Sequence, residues 1–222
     1  MYKLYHGDCL DILQNMPEKS VDCILTDPPY GIDFQSCLRK KRPQFAKIAN
    51  DKKPFVEWIP AAFRVLSDNG CILVFTRWDV EHIFIAALKT AGFDVKSEII
   101  WDKKWWGSGD LTGAFAPLHE NILFATKGKY TFPGARPKDV ISFQRYNGCK
   151  LLHPNQKPVE LLQTLVKSVC KKNSTVLDPF MGSGTTGVAA KTEDMNFIGI
   201  ELDKIYFDIA EQRIEEEEYI LR

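Results

Sequence analysis

Short apolar runs alternate with longer stretches of helical periodicity along most of this chain. Residues 21–26 (VDCILT) and 71–76 (CILVFT) are short and apolar, which is typical of buried strands. Residues 80–90 and 157–170 instead place their apolar side chains on one helical face. Strands that alternate with helices predict a mostly parallel α/β sheet with helices on both faces.

The same pattern supplies the remaining elements and one irregular region. Residues 127–152 are rich in glycine, proline, lysine and arginine and show no clear helix, so we interpret them as an inserted, function-bearing segment. We predict strands at 2–5, 21–26, 71–76, 95–101, 121–125, 175–177 and 196–200, a helical turn at 10–14, and helices at 55–66, 80–90, 157–170, 185–191 and 203–217.

Composition narrows the class of protein. Of the 222 residues, 45% are hydrophobic and 26% charged, which indicates a soluble globular chain with enough apolar material for a core. The formal net charge is zero, so any contact with nucleic acid would need local basic patches. The six cysteines include no CxxC pair, which argues against a zinc site and favours a reducing cytosol. There is no signal-peptide pattern and no apolar run of about 18 residues, so we expect a cytoplasmic protein with no metal and no membrane partner.

The first motif with chemical meaning is Asp27-Pro28-Pro29-Tyr30, directly after the predicted strand 21–26. Neither proline has an N–H to give to a sheet, so the strand must end here. On its own, the motif leaves open a rigid turn with Tyr30 packed beneath it.

The second motif is a glycine turn, residues 177–190 (LDPFMGSGTTGVAA), between a predicted strand and a predicted helix. Its glycines satisfy the spacing G-x-G-x-x-G, and Glu201 ends the next predicted strand, where a carboxylate can accept hydrogen bonds from ribose hydroxyls. No Gly-Lys-Ser/Thr follows, so the lysine of a phosphate-binding loop is missing. The glycines alone fit NAD, S-adenosylmethionine or simply close packing of helix on strand. Asp178 favours a cationic ligand without phosphate, because a carboxylate would repel a pyrophosphate.

Together the two motifs resemble the β-group, circularly permuted amino-methyltransferases of DNA, which methylate adenine N6 or cytosine N4 with S-adenosylmethionine. Segments 6–13 (HGDCLDIL), 47–51 (KIAND), 119–128 (HENILFATKG) and 153–166 (HPNQKPVELLQTLV) extend the resemblance over nearly the whole chain. It implies a Rossmann-like methyltransferase fold in a single domain, 1–222, with a catalytic half 1–126, a short target-recognition insert 127–152 and a cofactor-binding half 153–222. So short an insert is typical of compact, phage- or prophage-like members.

The resemblance also implies roles for particular residues. Asp27 and a backbone carbonyl, that of Pro28, would accept hydrogen bonds from the amino group of a flipped base, and Tyr30 would stack on the base. Pro29 completes the catalytic motif. The implied cofactor-binding residues are Asp8, Cys9, Asp27, His153, Asn155, Gln156, Lys157, Asp178, Phe180, Gly182, Ser183, Gly184, Thr185, Glu201 and Leu202. No Pro-Cys dipeptide occurs, which argues against methylation of cytosine at carbon 5.

Basic residues provide two candidate surfaces for double-stranded DNA. One follows the catalytic turn and the other lies in the insert; their alternative is a solvated charged loop. They comprise Arg39, Lys40, Lys41 and Arg42, and then Lys127, Lys129, Arg136, Lys138 and Arg145.

We predict methylation of adenine N6, since N4-cytosine enzymes of this family more often carry serine in place of Asp27. Cytosine N4, an NAD-dependent oxidoreductase (which leaves the proline motif unexplained) and a catalytically silent DNA-binding module are the alternatives. A homodimer and a restriction–modification role are also left open.

Overall fold

The computed structural model describes residues 1–31, 53–105, 112–146, 152 and 155–216. The described strands are β1 (Tyr2–His6), β2 (Val21–Thr26), β3 (Leu66–Thr76), β4 (Asp94–Asp102), β5 (His119–Thr126), β6 (Val140–Ser142), β7 (Thr175–Asp178) and β8 (Asn196–Glu201). The described helices are α1 (Cys9–Asn15), α2 (Ile59–Val65), α3 (Glu81–Ala91), α4 (Val159–Val169), α5 (Thr185–Thr192) and α6 (Lys204–Glu216).

The eight described strands form one sheet in the order β1-β8-β7-β2-β3-β5-β4-β6. Among them β5 runs antiparallel to both of its neighbours, and the other pairings are parallel. The central strands are buried along consecutive residues: 72–75 of β3 are at most 1% exposed. Because successive side chains of a strand point to opposite faces, both faces of the sheet are covered. The predicted mostly parallel α/β fold is confirmed.

The sheet order places a crevice between β2 and β7. From β2 the chain proceeds through α2 to β3 on one side, and from β7 it proceeds through α5 to β8 on the other side. Ligands of open α/β sheets bind at the carboxyl ends of strands at such a switch point. The Thr26 hydroxyl donates a hydrogen bond to Asp178 Oδ1 across the two strand ends, at 2.7 Å. Two strands that are remote in sequence are thus joined beside the crevice.

Two boundaries differ from the predicted ones around residue 66. Helix α2 begins at Ile59 rather than 55, because Pro60 occupies its first turn and the preceding residues form a turn in which the Trp58 indole donates to the Phe55 carbonyl, at 3.0 Å. Strand β3 begins at Leu66 rather than 71, because Leu66 already pairs with Val21 of β2. Residues 67–70, which follow it, are not apolar and give no strand signal in the sequence.

The predicted insert, residues 127–152, contributes to the sheet. Strand β6 was not predicted, and it pairs in parallel with the end of β4. The Trp101 indole fixes the chain after β6 by donating to the Phe143 carbonyl, at 2.8 Å. The described part of the insert therefore continues the sheet rather than forming a separate lobe.

Within the described ranges, no helix is long and apolar enough to cross a membrane.

Candidate active site

The catalytic turn begins where β2 ends, at the crevice. The Pro29 carbonyl accepts a hydrogen bond from the Phe55 N–H, at 3.1 Å. That contact ties the Pro29 carbonyl to the fold. Asp27 extends in the other direction, and its Oδ2 lies 2.8 Å from the Lys157 ammonium.

Tyr30 is buried, with 6% of its surface exposed. Its ring contacts Phe84 edge-on, at 6.5 Å between centroids. Its hydroxyl has no hydrogen-bond partner in the described part of the chain. In this structure Tyr30 is therefore packed against the core.

Lys157 lies between two carboxylates. Its ammonium is 2.8 Å from Asp27 and 2.9 Å from Glu120, and it sits over the Phe75 ring at 4.9 Å from the centroid. Burial lowers the pKa of Lys157, but the two carboxylates raise it more, so the pKa ends well above its ordinary value. Glu120 has a second cationic neighbour, Lys103, at 3.4 Å. Lys157, for which the resemblance implies a cofactor role, is thus the counterion of Asp27 in this structure.

Asp178 is buried below the crevice and accepts three hydrogen bonds. The donors are the Thr26 hydroxyl at 2.7 Å, the Thr186 hydroxyl at 2.6 Å and the Phe180 N–H at 3.1 Å. Burial raises the pKa of Asp178 from 3.8 to about 6, and the hydrogen bonds offset only part of that effect. Both of its oxygens are occupied by the fold, so the carboxylate shapes the turn that a cofactor would meet.

The glycine turn is buried and tightly packed. Gly184 has φ +79°, and a Cβ there would lie 2.9 Å from Ala210 of α6. The Gly182 N–H donates to the Glu201 carboxylate, at 2.9 Å. Ser183 and Thr185 are buried, and Arg213 of α6 donates to the Ser183 hydroxyl at 3.0 Å. The glycines therefore hold the turn between α6 and the end of β8.

The acidic end of the crevice is formed by β8 and β1. Burial raises the pKa of Glu201, which accepts from the Gly182 and Asp203 N–H groups. The Gly7 N–H donates to the Glu201 carbonyl, at 2.9 Å, and so places the start of α1 beside it. The Asp8 side chain caps α1 by accepting from the Leu10 N–H, at 2.8 Å.

The remaining predicted cofactor residues surround this crevice or bind the fold nearby. Burial, with help from Asp8, raises the pKa of Cys9 to about 12, so this thiol stays protonated and is no nucleophile. Phe180 contacts the Trp58 ring edge-on, at 5.4 Å between centroids. Gln156 is buried and accepts from the Leu152 N–H, Asn155 is half-buried, and the Leu202 side chain is exposed. His153 lies outside the described residues.

The predicted DNA-binding residues are scattered. The Lys127 ammonium donates to the carbonyls of Phe63 and Leu66 at the end of α2, at 2.8 and 2.7 Å. Lys127 directly follows β5, whose residue Asn121 pairs with the last residue of β3, Thr76. Lys127 and Lys129 therefore lie at the opposite edge of the sheet from Asp27, and the strand from Asn121 to Thr126 separates the two edges by about 17 Å. Lys127 therefore stabilises the end of α2, and the proposed DNA surface does not include it.

The other basic residues divide between the two sides of the molecule. Arg136 and Lys138 line a cavity of about 580 Å³ between β4, β6 and α4. The main chain of Arg145 lies at the edge of the sheet where β4 ends, and its backbone N–H donates to the Lys103 carbonyl at 3.2 Å. Arg39, Lys40, Lys41 and Arg42 lie outside the described residues.

Sequence reasoning gave no role to Glu120 or Lys103. The sequence shows Glu120 at the start of an apolar run, HENILF, which predicts a strand. It does not show the direction of that strand, and the direction decides which edge of the sheet Glu120 reaches. Within the described residues, no group of three or more His, Cys, Asp or Glu side chains could hold a metal ion.

Comparisons with known proteins agree with this geometry. The family model described as DNA methylase, of the N6/N4 type, matches residues 21–212. YubD of Escherichia coli K12, named as a methylase, is 35% identical over 218 residues, which cover 96% of this chain and 90% of the relative. The crystal structure of M1.HpyAVI with S-adenosylmethionine has a TM-score of 0.73 and 31% identity, with 96% of this chain and all of that chain covered. PvuII DNA methyltransferase, which is specific for cytosine N4, shares the fold with a TM-score of 0.73 at 18% identity and covers 97% of this chain and 90% of its own. The chain therefore belongs to the N6/N4 family of DNA methylases.

Proposed function

We propose that this DNA methyltransferase transfers a methyl group from S-adenosylmethionine to the N6 amino group of adenine in duplex DNA. The observation that carries the proposal is the position of Asp27. This residue directly follows β2 at the crevice, and the glycine turn follows the neighbouring strand β7. The order of the two motifs along the chain, catalytic before cofactor-binding, supports placement in the permuted β group.

The residues of the crevice fit S-adenosylmethionine by their chemistry. The crevice presents the carboxylates of Asp8 and Glu201 near the glycine turn, which suit the hydroxyl and amino groups of the cofactor. The two cationic side chains near the turn already have partners in the fold: Arg213 donates to Ser183, and Lys157 is paired with Asp27. This set disfavours the pyrophosphate of NAD. When bound, the cofactor supplies an electrophilic methyl group on a sulfonium.

The catalytic turn supplies acceptors for the amino group of the base. The lone pair of an exocyclic amine is delocalised into the ring, so the amine is a weak nucleophile. Hydrogen bonds from its N–H groups to the Asp27 carboxylate and the Pro28 carbonyl return electron density to nitrogen, and charge-assisted bonds are the stronger kind. The prolines keep both acceptors fixed, which is electrostatic preorganisation.

Two features support the choice of adenine and of duplex DNA. The first residue of the catalytic motif is Asp27, whereas N4-cytosine members of the family more often have serine there. A base inside a duplex must be flipped out to reach the crevice. The main chain of Arg145 lies at the same edge of the sheet, bonded to that of Lys103, and in this proposal its guanidinium binds a phosphate near the flipped base. A homodimer and a cytoplasmic location stay predictions.

One experiment tests the reaction. The protein is incubated with labelled S-adenosylmethionine and unmodified duplex DNA, and the DNA is digested to nucleosides. We expect labelled N6-methyl-2′-deoxyadenosine. N4-methylcytosine would overturn the choice of base, and the absence of any labelled nucleoside would overturn the proposed function.

A variant tests the role of Asp27. We expect Asp27→Ala to lose methyl transfer and to keep its affinity for the cofactor, measured by calorimetry. Asp22→Ala, at the exposed opposite end of β2, is the matched control and should keep the activity. Methylation at the normal rate by Asp27→Ala would show that this carboxylate has no catalytic role.

A further inference from the structure

A second carboxylate, that of Glu120, approaches the catalytic turn from the other side of Lys157. Glu120 is the second residue of β5, which runs antiparallel to β3. Its neighbour Asn121 therefore pairs with Thr76, the last residue of β3, at the edge where the crevice opens. The sheet thus places a carboxylate beside Asp27 and Lys157 from a strand to which no catalytic or cofactor-binding residue was assigned.

Lys157 is shared evenly between the two carboxylates. Its ammonium is 2.8 Å from Asp27 Oδ2 and 2.9 Å from Glu120 Oε2, and its side chain is 10% exposed. The aromatic ring of Phe75 lies beneath the ammonium and keeps water away from that side. Because the two distances are nearly equal, neither carboxylate holds the cation alone.

We infer that Glu120 is a positioning residue for methyl transfer, which retains the Lys157 ammonium while the Asp27 carboxylate turns to the amino group of the target base. The inference rests on the proposed function. Without Glu120, a movement of Asp27 away from Lys157 would leave a buried cation without a compensating charge, which is strongly unfavourable. With Glu120, the cation keeps an anionic partner throughout, and Asp27 can exchange one donor for another.

Stability alone gives a weak reason for this arrangement. Buried ion pairs seldom stabilise a fold more than apolar side chains of the same volume would. A purely structural Glu120 would change the unfolding of the protein and leave the chemical step unchanged. A positioning Glu120 acts through Lys157, so its effect on the chemical step must disappear when Lys157 is absent.

The test compares Glu120→Gln, Lys157→Met and the double variant by single-turnover methyl transfer to DNA. We expect Glu120→Gln to slow the transfer about tenfold or more, with cofactor affinity unchanged. In the Lys157→Met background, the same substitution should cause no further loss. The matched control is Glu193→Gln, which removes a carboxylate that lies 3.3 Å from the exposed Lys167; it should keep the wild-type rate.

Two results would overturn the inference: a wild-type rate for Glu120→Gln, or losses that multiply in the double variant. Glu120→Asp, which keeps the charge but shortens its reach, replaces Glu120→Gln if that variant does not fold, with the same expectation of a slower transfer.

A readout without DNA separates this inference from the proposed function. If the wild-type protein methylates no nucleoside, the proposed function fails. The nitrogen resonance of the Lys157 ammonium, observed by NMR at neutral pH, then tests the contact by itself. We expect its chemical shift and its hydrogen exchange with water to change in Glu120→Gln, because one of the two carboxylates at the ammonium is lost; an unchanged resonance would show that Glu120 does not hold Lys157.

Discussion

Asp178→Asn should change the stability of the protein in a way that depends on pH. Burial raises the pKa of Asp178 from 3.8 to about 6 in the folded protein, so the folded state binds more protons than the unfolded state between these values. The contribution of this carboxyl group is therefore most favourable below pH 3.8 and is lost as the pH rises through 6. Asparagine has no proton to lose, and it keeps an acceptor for Thr26 and for the Phe180 N–H.

The magnitude follows from the two pKa values. A difference of this size between folded and unfolded states corresponds to about 3 kcal/mol in full, of which about 2 kcal/mol falls between pH 4.5 and 7.5. Against this, the asparagine NH₂ group faces the Thr186 hydroxyl, which must turn to accept, at a cost of about 1 kcal/mol that does not vary with pH. Asp178→Asn should therefore gain about 2 kcal/mol relative to the wild type as the pH is raised over this interval.

Urea unfolding followed by circular dichroism at pH 4.5 and 7.5 measures the difference. Asp22→Asn is a suitable control because Asp22 also links β2 to β7, by accepting from the Thr175 N–H at 2.9 Å, but at the exposed end of the strands. Its difference from the wild type is subtracted at each pH. A corrected difference for Asp178→Asn that stays constant within about 0.5 kcal/mol would refute the reasoning, because a buried carboxyl with a raised pKa must show this linkage.

Three further predictions concern packing and partners. Gly187→Ala should lower the melting temperature, since its Cβ would lie 2.4 Å from Ile214 Cδ1; Gly134→Ala, with nothing within 4 Å, should not. Tyr30→Phe should raise the unfolding free energy by up to about 1 kcal/mol, because it removes a buried hydroxyl without a described partner, and a loss of stability would contradict that placement. Lys127→Met should lower the unfolding free energy by about 1 kcal/mol, through loss of the helix-end contacts, and leave DNA affinity in a filter-binding assay unchanged; weaker DNA binding would return this lysine to the DNA surface.

The meeting of the two motifs could be predicted because it depends on topology alone. Asp27 follows β2 and Asp178 is the last residue of β7, and the carboxyl ends of parallel neighbouring strands meet at one edge of a sheet. The link between Thr26 and Asp178 could not be read from the sequence, since it requires the register of β2 against β7.

Other features escaped prediction for physical reasons. Strand β6 is three residues long and lies among glycines and prolines, so it carries no periodic signal. The early start of β3 could not be predicted because residues 67–70 (SDNG) are not apolar and form an irregularity between the pairs Val21–Leu66 and Cys23–Cys71. The role of Glu120 depends on the antiparallel direction of β5, and hydrophobic pattern reports burial without reporting direction.

The costly groups of this fold are concentrated at one edge of the sheet. The phenol of Tyr30 is buried without a described partner, Asp178 is buried with a raised pKa, and Lys157 is buried between two carboxylates. Away from that edge, the core consists mainly of apolar side chains such as Ile24, Leu73 and Val176, all at 0% exposure. A sequence selected for stability alone would replace such groups by apolar residues of similar volume. Their clustering where β2 and β7 end and β5 begins marks this edge of the sheet as the candidate active site, since features that break local rules of stability are expected at functional sites.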